Sequence, residues 1–222
     1  MAIIEQKARD ISRPVLEAIG RTLAGWGVSP NVLTYVGLLL TSGVAVLAAL
    51  GELRWAGVTY IFAALFDALD GTVARVSGKG SRFGAFLDSS IDRLDEAVVF
   101  LGLIIHYTLV GAVYEIPLIL VVAVFSLMIS YTRARAEGLG VNCKAGFMSR
   151  PLRVVVLILG LLLNQVLVAL AILAVTTGIT VIQRIVHVRR MTGGEKGGWG
   201  PVQEPFYPSV PPVPDPDVGD AP

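Results

Sequence analysis

Residues 67–92 read DALDGTVARVSGKGSRFGAFLDSSID, which sets four aspartates into two runs otherwise rich in Phe, Leu, Ala and Val. Asp67 and Asp70 are three apart, Asp88 and Asp92 are four apart, and Gly84 precedes Asp88 by four. On helices these intervals put each pair on a single stripe. A carboxylate at the centre of a membrane helix costs about 2.5–3.5 kcal/mol even on the lenient insertion scale. Four of them cannot face lipid, so they lie near the interface, line a wet cavity, or are neutralised by cations. Pairing with Arg75, Arg82 and Arg93 is a structural alternative, disfavoured because buried ion pairs seldom recover their desolvation cost. Carboxylate oxygens are hard ligands, and a divalent ion such as Mg²⁺ or Mn²⁺ accounts for the cluster.

The flanking sequence supplies the membrane. The 222 residues are 54% hydrophobic and 16% charged, with a mean hydropathy of +0.71, too apolar for a soluble domain. Apolar stretches fall at 32–51, 55–75, 90–112, 116–136 and 152–188. A span takes about 20 residues, so the last stretch is divided near Asn164 and Gln165 into a short helix and a longer one. The expectation is an all-α membrane protein with six transmembrane helices. Arg13 and Arg21, with Lys7 and Arg9, precede the first span, Arg75, Lys79 and Arg82 follow the second, residues 133–153 carry arginines around the fourth loop, and Arg184 to Lys196 close the core; the opposite loops carry only Arg54. The positive-inside rule then places both termini and the charged loops on the cytoplasmic side of the cell membrane.

Residues 1–25 lack the apolar core of a cleavable signal. Ile3, Ile4, Ile11, Val15, Leu16, Ile19 and Leu23 alternate there with basic residues, which predicts an amphipathic juxtamembrane helix, with a frayed leader as the alternative. The membrane domain is expected over 26–190. Residues 191–222 hold eight of the twelve prolines and are expected to be a disordered cytoplasmic extension, in which 210–214 offers a possible polyproline II segment. Cys143 is the single cysteine and allows no internal disulfide.

Gly71 lies four after Asp67, where a missing side chain admits either a ligand or a neighbouring helix. Arg75 follows one turn on, and its guanidinium can fork onto phosphate oxygens. The segment 76–83, with Gly78, Gly80 and Ser81, is expected as a flexible loop able to close over a ligand. Taken together, Asp67, Asp70, Gly71, Ala74, Arg75, Gly84, Asp88 and Asp92 match the signature of the CDP-alcohol phosphotransferase family at every position and spacing, and the six-span layout extends the resemblance to about residues 1–190.

The resemblance implies transfer of a substituted phosphate from a CDP-linked donor to an alcohol, with release of CMP. It implies that Asp67, Asp70 and Asp88 hold metal and that Asp92, also close to the metals, is the general base. It further implies that Gly71, Arg75 and Ser81 contact the donor. Asn31, Val32, Leu33 and Thr34, after Ser29 and Pro30, look like the family's stretch that closes over the nucleotide; an ordinary helix cap is the alternative. A lipid donor, CDP-diacylglycerol, is expected, and a soluble CDP-alcohol stays open.

For the acceptor, residues 133–137 (RARAE) are similar to a Lys-Ala-Arg-Ala-Glu run of prokaryotic phosphatidylinositol-phosphate synthases, with Arg133 in place of lysine. Several cations at one mouth suit an acceptor that carries its own phosphate. Arg133, Arg135 and Arg153 are the candidate phosphate contacts, with Arg150 a further uncommitted cation, although membrane anchoring also accounts for single arginines. Inositol phosphate is thus the expected acceptor, and glycerol phosphate the runner-up. An ion or solute transporter is the rival from another class, but neither repeated halves nor interrupted helices are evident. Family members are commonly homodimers, and no nucleic-acid partner is expected.

Overall fold

The computed structural model describes residues 2–78, 80–143 and 145–193. The expectations for 194–222, for Lys79 and Lys196, and for the side chains of Ile3, Ile4, Lys7, Arg9 and Ile11 lie outside the described residues. The described residues form seven helices: α1 (Ala2–Gly25), α2 (Pro30–Ala49), α3 (Leu53–Ser77), α4 (Arg82–Leu109), α5 (Glu115–Gly138), α6 (Arg150–Leu162) and α7 (Val166–Thr192).

Local chemistry explains the boundaries. Ser29 is extended and Pro30 takes the first helical position of α2, where its missing N–H leaves nothing unsatisfied. Gly78 ends α3 in the left-handed conformation, at φ 66°, which glycine adopts without strain. Ser81 caps α4, its Oγ accepting from the Gly84 N–H at 2.9 Å. The link between α3 and α4 is therefore shorter than the expected 76–83 loop, because residues 76, 77, 82 and 83 are helical. The long C-terminal apolar run divides at the expected place. Asn164 turns back at φ 55°, and the Gln165 N–H closes the turn onto Gly160 O at 2.8 Å.

The helices α2, α3, α5 and α7 are long and apolar enough to cross a membrane, so the chain is a multi-pass membrane protein. Helix α4 has 28 residues but carries Asp88, Asp92, Arg93, Asp95 and Glu96. The 13 residues of α6 extend about 20 Å, short of the roughly 30 Å hydrocarbon thickness. Polarity is distributed outside-in. Leu39, Leu109 and Val175 are 71%, 76% and 64% exposed, whereas Asp70, Asp95, Arg153 and Arg184 are buried.

A core of Val44, Tyr60, Val99, Leu103, Val122, Leu157, Leu161 and Leu170 ties α2 through α7 together. Helices α2 and α4 meet backbone to backbone, since a Cβ on Gly102 would collide with the Ala45 carbonyl, a close approach that small residues permit between membrane helices. A second cluster of Leu33, Leu69 and Val73 seats Leu16 and Leu23, and Gly20 fits over the Thr72 methyl. Helix α1 is thereby docked on the C-terminal half of α3, the half that bears the aspartates.

Candidate active site

Asp67 and Asp70 lie two to three turns before the end of α3, and Asp88 and Asp92 two to three turns after the start of α4. The tight link between these helices brings the four to a common level. Ligand oxygens of Asp67, Asp70 and Asp88 fall within 4.8 Å of one another, a donor set of hard carboxylates that fits Mg²⁺ or Mn²⁺. Thr34, on the first turns of α2, donates its hydroxyl to Asp70 Oδ2 at 2.8 Å and so fixes that carboxylate.

Two of the three, Asp70 and Asp88, line a cavity of about 450 Å³ together with Asn31, Thr34, Gly71 and Ser81, among others, while Asp67 faces a neighbouring one. Gly71 and Gly84 open this space. The nearest neighbour to a Cβ on Gly71 is Arg75 Nη1 at 3.5 Å, and one on Gly84 would approach Ser81 Oγ at 3.1 Å and Asn31 Oδ1 at 3.4 Å. Arg75 is exposed beside the cavity and donates to Thr72 Oγ1 at 3.0 Å. Val32 points outward at 52% exposure, and Leu33 is buried in the cluster under α1. Of the segment 31–34, then, Asn31 and Thr34 reach the cavity.

Asp92 is not among that trio but is joined to it by a guanidinium. Arg150, the first residue of α6, places Nη1 at 2.7 Å from both Asp92 Oδ1 and Asp67 Oδ2. Arg93 Nη1 is 3.6 Å from Asp92 Oδ2. The reading of Arg150 and Arg153 as uncommitted cations is corrected here. Arg153 is 5% exposed and directs Nε and Nη2 at Glu96 Oε1, at 3.2 and 2.7 Å. Buried guanidinium groups seek carboxylates because an unpaired charge is far costlier than a paired one.

Arg133 pairs with Glu137 at 2.8 Å on the exposed face of α5, and Arg135 is exposed on the same helix. Arg184, counted in the sequence only for topology, is a functional candidate that sequence reasoning passed over. It is buried, donates to the backbone carbonyls of Ala145, at 3.0 Å, and Ile129, and lies close enough to Arg133 and Arg153 to be repelled by both. Asp95 and Glu96 were also missed, although Asp95 follows Asp92 by three and Asp88 by seven and so continues their stripe.

A bundle of lipid-facing helices that gathers a carboxylate trio under an open cavity, with cations alongside, defines a membrane-embedded enzyme of the metal-dependent phosphate-transferring kind. The CDP-alcohol phosphatidyltransferase family matches residues 27–188, and the chain belongs to that family. It is 36% identical over 185 residues to the archaetidylinositol phosphate synthase of Pyrococcus horikoshii, covering 83% of this chain and 96% of that protein. It is 39% identical over 191 residues to the phosphatidylinositol phosphate synthase of Corynebacterium glutamicum, covering 80% and 85%. The crystal structure of the Mycobacterium tuberculosis phosphatidylinositol phosphate synthase with CDP-DAG bound superposes with a TM-score of 0.70 at 32% identity, covering 79% of this chain and 94% of that one. The same mycobacterial enzyme in complex with manganese and citrate gives 0.70 at 33% identity, covering 78% and 88%.

Proposed function

We propose that this chain transfers the phosphatidyl group of CDP-diacylglycerol to inositol phosphate and releases CMP. The observation that carries the reading is the trio of Asp67, Asp70 and Asp88, with oxygens within 4.8 Å, of which Asp70 and Asp88 line a cavity open to a bulky ligand. In this reading these three, with Asp92 close by, hold the divalent ion. Bound there, the ion would neutralise the diphosphate and make CMP a better leaving group. Gly71 leaves room for the donor against the α3 backbone, while Asn31, Thr34, Ser81 and Arg75 orient it, and Val32 and Leu33 support that wall from the side away from the cavity. Asp92 accepts the proton of the acceptor hydroxyl. The freed oxygen pair attacks the phosphorus of the phosphatidyl group, and the bond from that phosphorus to the CMP oxygen breaks.

The acceptor's own phosphate is proposed to rest on the arginines Arg133, Arg135 and Arg153, with Arg184 beside them. The repulsion that Arg184 feels from Arg133 and from Arg153 supports this, since a shared anion relieves repulsion among cations. The relatives' names agree on inositol phosphate while differing in lipid, phosphatidyl in one and archaetidyl in another. The proposed frame is six spans over 26–190 with α1 lying at the cytoplasmic surface, both termini cytoplasmic, a C-terminal extension from 191, and a homodimer in the cell membrane.

Purified protein with CDP-diacylglycerol and radiolabelled inositol, inositol phosphate, glycerol phosphate or serine tests the acceptor. Strong preference for inositol phosphate is expected. Preference for glycerol phosphate makes the chain a phosphatidylglycerophosphate synthase, and preference for an uncharged alcohol overturns the phosphate-pocket argument.

A further inference from the structure

Behind the carboxylates lies a second cavity of about 180 Å³, lined by Thr41, Tyr60, Asp67, Asp95, Arg150 and apolar residues of α3 and α6. Asp95 is 6% exposed. Its Oδ2 is 3.6 Å from Arg150 Nη2, and its Oδ1 has no hydrogen-bond partner, as is also true of Arg150 Nε. A second buried carboxylate this close to a crowded acidic cluster adds repulsion, and charge that is expensive to bury calls for a specific reason. The reason lies in Arg150, which is gripped from both sides: Asp67 and Asp92 in front and Asp95 behind.

We propose that Asp95 is a positioning residue that acts through Arg150, holding the guanidinium where it spans Asp67 and Asp92. So held, Arg150 covers one oxygen of each of those carboxylates and competes with the divalent ion for Asp67. It also ties Asp92 to Asp67 through the shared Nη1, 2.7 Å from each, which orients Asp92 toward the acceptor and leaves Asp70 and Asp88 to the ion. The division of labour among four aspartates of identical chemistry is thus imposed by a fifth aspartate and one arginine. Lysine cannot replace the arginine, because a point charge on a flexible stem lacks the fork that touches three carboxylates at once. The inference rests on the proposed metal and base roles, and the measurements below separate the two.

Mn²⁺ affinity of donor-free protein, read by electron paramagnetic resonance, and steady-state kcat and KM are measured for the wild type, Arg150→Gln, Arg150→Lys, Asp95→Asn and the double variant Asp95→Asn with Arg150→Gln. Removing the competing cation in Arg150→Gln is expected to tighten Mn²⁺ binding about tenfold and to lower kcat by at least about tenfold. Asp95→Asn is expected to lower kcat with the donor KM little changed. The double variant should be no slower than Arg150→Gln, since residues that act through one another are not additive. Arg150→Lys, which retains Asp95, should lose kcat like Arg150→Gln, and it carries the test if Asp95→Asn does not fold. Unchanged or weaker Mn²⁺ binding in Arg150→Gln, multiplicative losses in the double variant, or wild-type kcat in Arg150→Lys each overturn the inference. Failure of the wild type to bind Mn²⁺ at all overturns instead the metal site on which it rests.

Discussion

At the scale of single residues, the site separates groups that share a chemistry by giving each a different neighbour. Asp70 is fixed by Thr34, whereas Asp92 is held by Arg150. Asp92→Asn keeps the shape and the cavity but cannot take a proton. Turnover is expected to fall by about a hundredfold to ten-thousandfold with CDP-lipid affinity nearly intact, as separate assays of CMP release and donor binding would record; Asp67→Asn should instead lose Mn²⁺. Arg153 is buried and bound to the partly buried Glu96. Arg153→Ala strands Glu96, so a loss of about 3–5 kcal/mol is expected, visible as a lower unfolding temperature in detergent. Arg153→Met with Glu96→Leu should restore that temperature without restoring inositol phosphate use, which separates folding from acceptor binding.

At the scale of elements, the site depends on how closely helices approach. Gly102 lets α4 touch the α2 backbone at Ala45, and further along the same two helices Thr34 and Asp88 line one cavity. Gly102→Leu forces a side chain into main-chain atoms that cannot rotate away, and overpacking typically costs about 1–3 kcal/mol, more where backbone must move. A lower yield of monodisperse protein is expected, with weakened Mn²⁺ binding in what remains folded. Helix α6 shows the reverse economy. Its 13 residues are shorter than the hydrocarbon is thick, and its first residue is Arg150, so starting the helix at that depth delivers the guanidinium to the carboxylates. The turn at Asn164 then hands the chain to α7, and Asn164→Val, which strains a left-handed residue, should destabilise by about 1–2 kcal/mol in the same melting assay.

At the scale of the whole molecule, polarity is turned inward and the machinery sits at one end of the bundle, where α2, α3, α4 and α6 converge. Chelation by EDTA is expected to abolish CMP release, with Mn²⁺ or Mg²⁺ restoring it; activity that survives exhaustive chelation excludes the metal reading. The family match ends at residue 188, and removal of 194–222 is expected to leave CMP release within about twofold, as the site residues named above all come from earlier in the chain. The sequence by itself determined the helices, the membrane and the four aspartates, because hydropathy and spacing along one helix are local properties. The break at Asn164 and Gln165 was legible for the same reason, as a polar pair inside an apolar run. Which cation answers which acid was decided only by the tertiary structure. Arg150 reaches Asp67 across 83 residues of chain, Arg153 reaches Glu96 across 57, and Arg184 is buried against the carbonyls of Ile129 and Ala145. No spacing rule spans such distances. Pairing between buried charges is settled by which helices pack together and at what depth each begins.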